Sequence, residues 1–207
     1  MKFIDVQDKG TVKETAEVIR SGGLVAFPTD TVYGLGADAS NAAAVSRIYE
    51  VKGRKGDKPL AFLVADEKEV FRYVDDVPGA ARLLMEKFWP GPLTIILKGS
   101  GGGSVAFRMP DCQFALELII EAGVPLVATS ANRSGESAHF DADSVRADLG
   151  DKIDLIIDGG KTKHGEGSSI VDLTGGEVKI IREGPVRGED IKSIITQFKN
   201  QMQIEEC

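Results

Sequence analysis

Short apolar runs bounded by Pro and Gly alternate with amphipathic stretches of helical period along almost the whole chain, and this alternation defines an α/β protein. The first helix is expected in TVKETAEVIRSGG. There Thr11 and Glu14 have the spacing of a capping box, Val12, Ala16 and Ile19 share a face, and Gly22 and Gly23 stop the run. Further helices are expected over about Asn41 to Lys52, around Ala81 to Phe88, around Ala115 to Ala122, and near Val145 and Ile194. Strands are expected in GLVAFP, PLAFLV, PLTIILKG, SVAFRMP, PLVATS, DLIIDGG, SSIVDL and EVKIIREG. Several of these are continuously apolar, as strands covered on both faces are.

PLTIILKG and SVAFRMP are separated only by a Gly/Ser loop, which implies a hairpin. The sheet is therefore expected to be mixed. The expected fold class is an α/β domain with an open, twisted, mixed sheet and flanking helices over residues 1–197, with a tail from Phe198 to Cys207.

Net charge is −7 for 207 residues, which opposes a duplex-binding role but not a small anion held by a few local cations. The opening MKFIDVQDKG has no signal-peptide character, and no apolar stretch exceeds about six residues, against the ~20 a membrane helix needs. The two cysteines, Cys112 and Cys207, suggest no disulfide framework. A soluble, cytoplasmic protein with no membrane contact is expected.

Familiar site motifs mostly fail. Gly34, Gly36 and Ala39 fit the relaxed dinucleotide pattern, but PTDTVY intervenes after the preceding strand and no helix opens there. GSGGGS, from Gly99 to Ser104, lacks the Lys-Ser/Thr ending of a P-loop and reads as a hairpin turn. His139 and His164 lie far apart with no ligand cluster and read as surface residues, so no metal site is expected. No nucleophile elbow is present.

Polar groups instead gather at element ends. Lys52 continues the Val45/Ile48/Tyr49 stripe and is aimed at the sheet, where it either meets an anion or complements its own helix C-terminus. Arg54 follows Gly53. Ser104, Ala106 and Arg108 share a strand face, as do Leu126, Ala128, Ser130 and Asn132, and Arg182 closes the Val178/Ile180 face. Cations and hydroxyls at strand ends suit phosphate and carboxylate.

FPTDTVYGLGADA, then Lys52-Gly53-Arg54, KPL from Lys58, FWPGPLTIIL, VAFRMP, TSANRSG, SSIVDL and IIREG follow one another in an order and spacing that resemble the YrdC domain family, from about residue 8 to residue 190. The resemblance is to its short, single-domain form, with a YciO-like paralogue as the neighbouring branch. It implies a deep concave cavity and a threonylcarbamoyl-AMP synthase, a nucleotidyltransferase that joins L-threonine, bicarbonate and ATP for threonylcarbamoyladenosine modification of tRNA. By the same resemblance Thr31 and Arg108 would hold threonine, and Lys52, Arg54, Lys58, Ser104, Ser130, Asn132 and Arg182 would hold ATP. Lys52 and Arg54 would be the catalytic cations, Mg2+ would arrive with ATP, and tRNA or tRNA-modification proteins would be partners. The chain departs from many members at Lys58, at Leu63 and in ESAHFDAD after the S-x-N motif. The competing readings are an RNA-binding module and an enzyme making another carbamoyl or acyl adenylate.

Overall fold

The structure is a computed structural model and describes residues 1–54, 59–175 and 177–205, with side chains up to 197. Ten strands among the described residues form one sheet. They are β1 (Lys2–Asp5), β2 (Val25–Phe27), β3 (Gly34–Asp38), β4 (Ala61–Leu63), β5 (Leu93–Lys98), β6 (Ser104–Arg108), β7 (Leu126–Ser130), β8 (Leu155–Asp158), β9 (Ser169–Asp172) and β10 (Lys179–Arg182). Six α-helices among the described residues flank them: α1 (Thr11–Arg20), α2 (Ala42–Lys52), α3 (Gly79–Phe88), α4 (Gln113–Ala122), α5 (Ala142–Leu149) and α6 (Gly188–Glu205). α6 runs on through Phe198, where a tail was expected to begin.

The strand order is β1-β8-β2-β3-β7-β4-β6-β5-β9-β10, with parallel and antiparallel neighbours. β5 and β6 form the expected hairpin. Two strands were missed. β1 is four residues long, too short for its alternation to stand out. β3 contains the two glycines of the rejected dinucleotide pattern. Gly36 belongs in a strand because a Cβ there would lie 2.8 Å from Cε1 of Phe27, on the neighbouring strand.

The expected capping box of α1 does not form. Gly10, at φ +88, takes the N-cap, so Thr11 is already inside the helix. Its hydroxyl donates to the carbonyls of Asp5 (3.0 Å) and Asp8 (2.8 Å), and Glu14 pairs with Lys2. In α2, Asn41 is a true N-cap, accepting from the Ala44 N–H at 3.1 Å.

Three apolar clusters define the layers. On one face α1 and α4 cover Val25, Phe27, Leu63, Leu126, Ala128, Leu155 and Ile157. On the other face α2 and α5 cover Ala26, Leu35, Ala37, Val127 and Ile156. That same face continues under α3 and α6 as Leu93, Ile95, Leu97, Phe107 and Val171. Alternation turns Thr94, Ile96, Ala106, Arg108 and Ile170 to the first face, and none of them joins an apolar cluster. Among the described residues, the β6-β5-β9-β10 half of that face therefore carries no helix.

A candidate anion-binding face

The loop 28–33 between β2 and β3 borders the uncovered half-face. Thr31 and Asp30 on it are both buried. Arg108, at the end of β6, is 8% exposed and donates from Nη1 to Thr31 Oγ1 (2.7 Å), from Nη2 to Asp30 Oδ1 (2.5 Å) and from Nε to the Gly91 carbonyl (3.3 Å). Thr29 Oγ1 lies 3.1 Å from Thr31 Oγ1. The segment 159–167, between β8 and β9, straps this loop down. Thr162 Oγ1 and the Gly165 N–H donate to the Thr31 carbonyl at 2.8 and 3.0 Å, and the His164 N–H donates to that of Asp30 at 3.0 Å.

The opposite border is the end of β7. Lys52 is 2% exposed, and its Nζ donates to the carbonyls of Ser130 and Asn132. The reading in which Lys52 complements its own helix C-terminus is thus amended: its ammonium donates to the main chain of another element. Asn132 in turn donates from Nδ2 to the carbonyls of Arg133 and Glu136, both at 2.8 Å. Asp148 braces this turn through Arg133 Nε (2.9 Å) and His139 Nε2 (3.0 Å). His139 is therefore half-buried and paired rather than a surface residue, whereas His164 is exposed.

Arg182 closes the far side. Its Nε donates to the Ser168 carbonyl (2.9 Å) and its Nη2 to Ser168 Oγ (3.3 Å), which lies 2.8 Å from Thr94 Oγ1. Register aligns Thr94, Ile170 and Arg182 across β5, β9 and β10. Arg54 donates to the Pro59 carbonyl (3.0 Å) and Thr129 Oγ1 (3.4 Å).

Electrostatics link these cations into one row. Burial, then Arg54, lowers Lys52 from 10.5 to about 8. Burial, then Arg54, also lowers Arg182. Burial lowers Arg108, Asp30 opposes the shift, and Arg182 adds to it. Lys52, Arg54, Arg182 and Arg108 thus each feel the next, while Asp30 is the anion paired among them. Cations that share one region of a protein raise the local concentration of anionic ligands.

Thr31, Lys52, Arg54, Arg108, Ser130, Asn132 and Arg182 all belong to this connected group. Ser104 does not: it is exposed and four positions before Arg108, roughly 13 Å along the strand. Register puts it at the Ser130 end of the sheet with β4 between them, since Ala61 pairs with both Ala106 and Ala128. Lys58 lies outside the described residues. Leu63 is 6% exposed and belongs to the apolar cluster under α4. Two surface grooves, one beside Arg47 and Asp154 and one beside Tyr73 and α4, contain no residue of the group.

Sequence reasoning missed Asp30, Ser168 and Thr162. For Asp30 a signal existed: a lone carboxylate within the otherwise uncharged AFPTDTVYG is costly to bury without a partner. Thr162 and Ser168 act through loop contacts that leave no local pattern.

An open mixed α/β sheet with a cationic half-face defines the class of protein. The family termed Sua5_yciO_yrdC, described as "Telomere recombination", matches residues 17–184, and the chain belongs to it. It is 41% identical over 197 residues to the threonylcarbamoyl-AMP synthase of Pyrococcus abyssi, covering 91% of this chain and 58% of that protein. It is 39% identical over 208 residues to the threonylcarbamoyl-AMP synthase of Bacillus subtilis, covering 93% of this chain and 60% of that one. This chain thus spans about three-fifths of each relative's length. The fold matches the crystal structure of P. abyssi Sua5 complexed with L-threonine with a TM-score of 0.90 at 40% identity, covering 94% of this chain and 61% of that one. E. coli YciO matches with a TM-score of 0.80 at 26% identity, covering 90% of this chain and 96% of that one.

Proposed function

We propose that this chain is a threonylcarbamoyl-AMP synthase, forming L-threonylcarbamoyladenylate and pyrophosphate from L-threonine, bicarbonate and ATP. The observation that carries the reading is the buried Arg108 held against Thr31 on the uncovered half-face, with Arg182 tied through Ser168 to Thr94 on the same face and Lys52 and Arg54 at the end of β7. The names of the relatives, and the threonine in the P. abyssi structure, support threonine as substrate and the adenylate as product.

In this reading Arg108 and Thr31 take the amino acid, and Lys52, Arg54, Ser130, Asn132 and Arg182 take ATP, with Lys58 and Ser104 as further nucleotide contacts. The threonine amine attacks CO2 derived from bicarbonate, loses a proton and becomes a carbamate. A carbamate oxygen then attacks the α-phosphorus, the bond from that phosphorus to the bridging oxygen breaks, and pyrophosphate leaves. The carbamate is already an anionic nucleophile. The protein's work is therefore positioning and charge compensation. Mg2+ enters with the nucleotide as part of the substrate and shares the phosphate charge.

The adenylate serves threonylcarbamoyladenosine formation in tRNA, in a reducing cytoplasm suited to a thiol such as Cys112, which forms no disulfide. Among the described residues, no helix is long and apolar enough to cross a membrane. Net charge of −7 disfavours a pure RNA-binding role. The likeness to YciO favours a second reading, an enzyme making another acyl or carbamoyl adenylate on the same face.

Incubation with ATP, Mg2+, bicarbonate and each amino acid in turn separates these readings. Pyrophosphate release requiring both threonine and bicarbonate is expected. Release with a different acid supports the second reading, and salt-sensitive RNA binding without turnover rejects both.

A further inference from the structure

Asp30 is 3% exposed, and one of its oxygens holds Arg108 Nη2 at 2.5 Å. Its other oxygen, Oδ2, is buried with no hydrogen-bond partner among the described residues. An ion pair this buried is costly to desolvate, and replacing such a pair by apolar side chains is often neutral or stabilising. Stability alone is therefore a weak reason for this carboxylate.

The donor inventory of Arg108 gives a better one. A guanidinium has five N–H donors. Gly91, Thr31 and Asp30 take one each, from Nε, Nη1 and Nη2. Each terminal nitrogen keeps one further N–H. The guanidinium is thus fixed by three contacts from two segments, the loop 28–33 and Gly91, with one donor left on each of the two terminal nitrogens. Two of the three contacts hold neutral oxygens. Among the described residues, Asp30 is the carboxylate paired with Arg108, and it opposes the effects of burial and of Arg182.

Resting on the reading that Arg108 receives the amino-acid carboxylate, we propose that Asp30 is a positioning residue: it holds the Arg108 guanidinium turned so that its two remaining N–H groups bind that carboxylate. Without the Asp30 charge, Arg108 is pulled toward solvent and the fork is lost. Asp30 neither touches the triphosphate nor moves a proton. Its effect falls on the amino acid, not on ATP.

The test uses Asp30→Asn and Asp30→Glu in the whole chain, with titration calorimetry for threonine and for MgATP, steady-state KM for each, and thermal unfolding. For Asp30→Asn, threonine Kd and KM rise about tenfold or more, the loss expected for a loosened charge-assisted contact. MgATP Kd stays within about twofold, as expected for a group that leaves the phosphates alone. Asp30→Glu restores the charge at a longer reach and recovers part of the threonine affinity. Unchanged threonine affinity in a folded Asp30→Asn protein overturns the inference. So do an equal loss for threonine and ATP, and a fall in melting temperature as the sole effect. Should Asp30→Asn fail to fold, Asp30→Glu decides: loss of threonine affinity with MgATP binding kept supports the inference, and wild-type binding of both overturns it. If the wild-type chain itself fails to bind threonine, the parent reading fails and the inference with it, and that control is read first.

Discussion

Lys52, in the last turn of α2, donates to the carbonyl oxygen of Ser130, 78 positions along the chain. The same ammonium holds the Asn132 carbonyl, and the Ser134 N–H returns a bond to the Lys52 carbonyl at 2.8 Å. One buried lysine therefore ties the end of a helix to the turn after a strand. It both shapes the border of the half-face and contributes a cation to it.

Lys52→Ala should remove both effects. Two carbonyls lose a charged donor, each at a cost of about 1–3 kcal/mol. The rate should fall about tenfold to a thousandfold, as when other positioned electrostatic groups are deleted. Thermal unfolding and pyrophosphate release measure the two losses, and wild-type turnover in a folded variant contradicts the assigned role.

Arg54→Ala should separate catalysis from stability. Arg54 is half-buried, and it follows the positive-φ Gly53 at the end of α2 rather than sitting in an apolar cluster. A rate loss of about tenfold to a thousandfold is expected. Stability should change by less than about 1 kcal/mol, as at other positions outside the core. Equal rates for variant and wild type would remove Arg54 from the ATP contacts.

The lowered Lys52 predicts a basic limb in the pH profile. Burial and Arg54 favour the neutral amine, so Lys52 loses its proton as pH rises through about 8, against 10.5 when unperturbed. kcat/KM for ATP should therefore decline above that pH. Bound phosphates favour the charged form and should move the limb of kcat to higher pH. A profile flat to about pH 9.5 would mean that the Lys52 charge is not needed.

Gly167→Ala tests Arg182 indirectly. A Cβ at position 167 would lie 2.9 Å from Arg182 Nη2 and 3.0 Å from its Cζ. The arginine end can swing away, so the melting temperature should hardly change while KM for ATP rises severalfold. Gly184→Ala is the contrast: its Cβ would lie 2.3 Å from the Gly167 carbonyl oxygen, which cannot swing away, and the fold should suffer. An unchanged ATP KM in Gly167→Ala would leave Arg182 without a nucleotide role.

Most helices and eight of the strands were legible because apolar period is a local property, and each of those segments is long enough to display one. β3 was not legible: its glycines are set by the Phe27 ring packed against them, a contact between strands. The α1 cap was misread by one position because Gly10 can adopt the positive φ that the entry to the helix requires. At the site, residue types and spacing singled out Lys52, Arg54, Arg108, Ser130, Asn132 and Arg182, because cations and hydroxyls closing apolar strands are visible in one dimension.

By itself, then, the amino-acid order determined the elements, the mixed α/β class and the side chains with binding chemistry. Tertiary structure alone decided which half of the sheet goes without a helix among the described residues, that Ser104 stands at the other end of β6 from Arg108, and that Asp30 is the carboxylate that pairs with Arg108. The physical reason is range. Backbone period acts over a few residues, whereas charge pairing and burial depend on strand order, which joins β6 to the loop after β2 across 78 positions of chain.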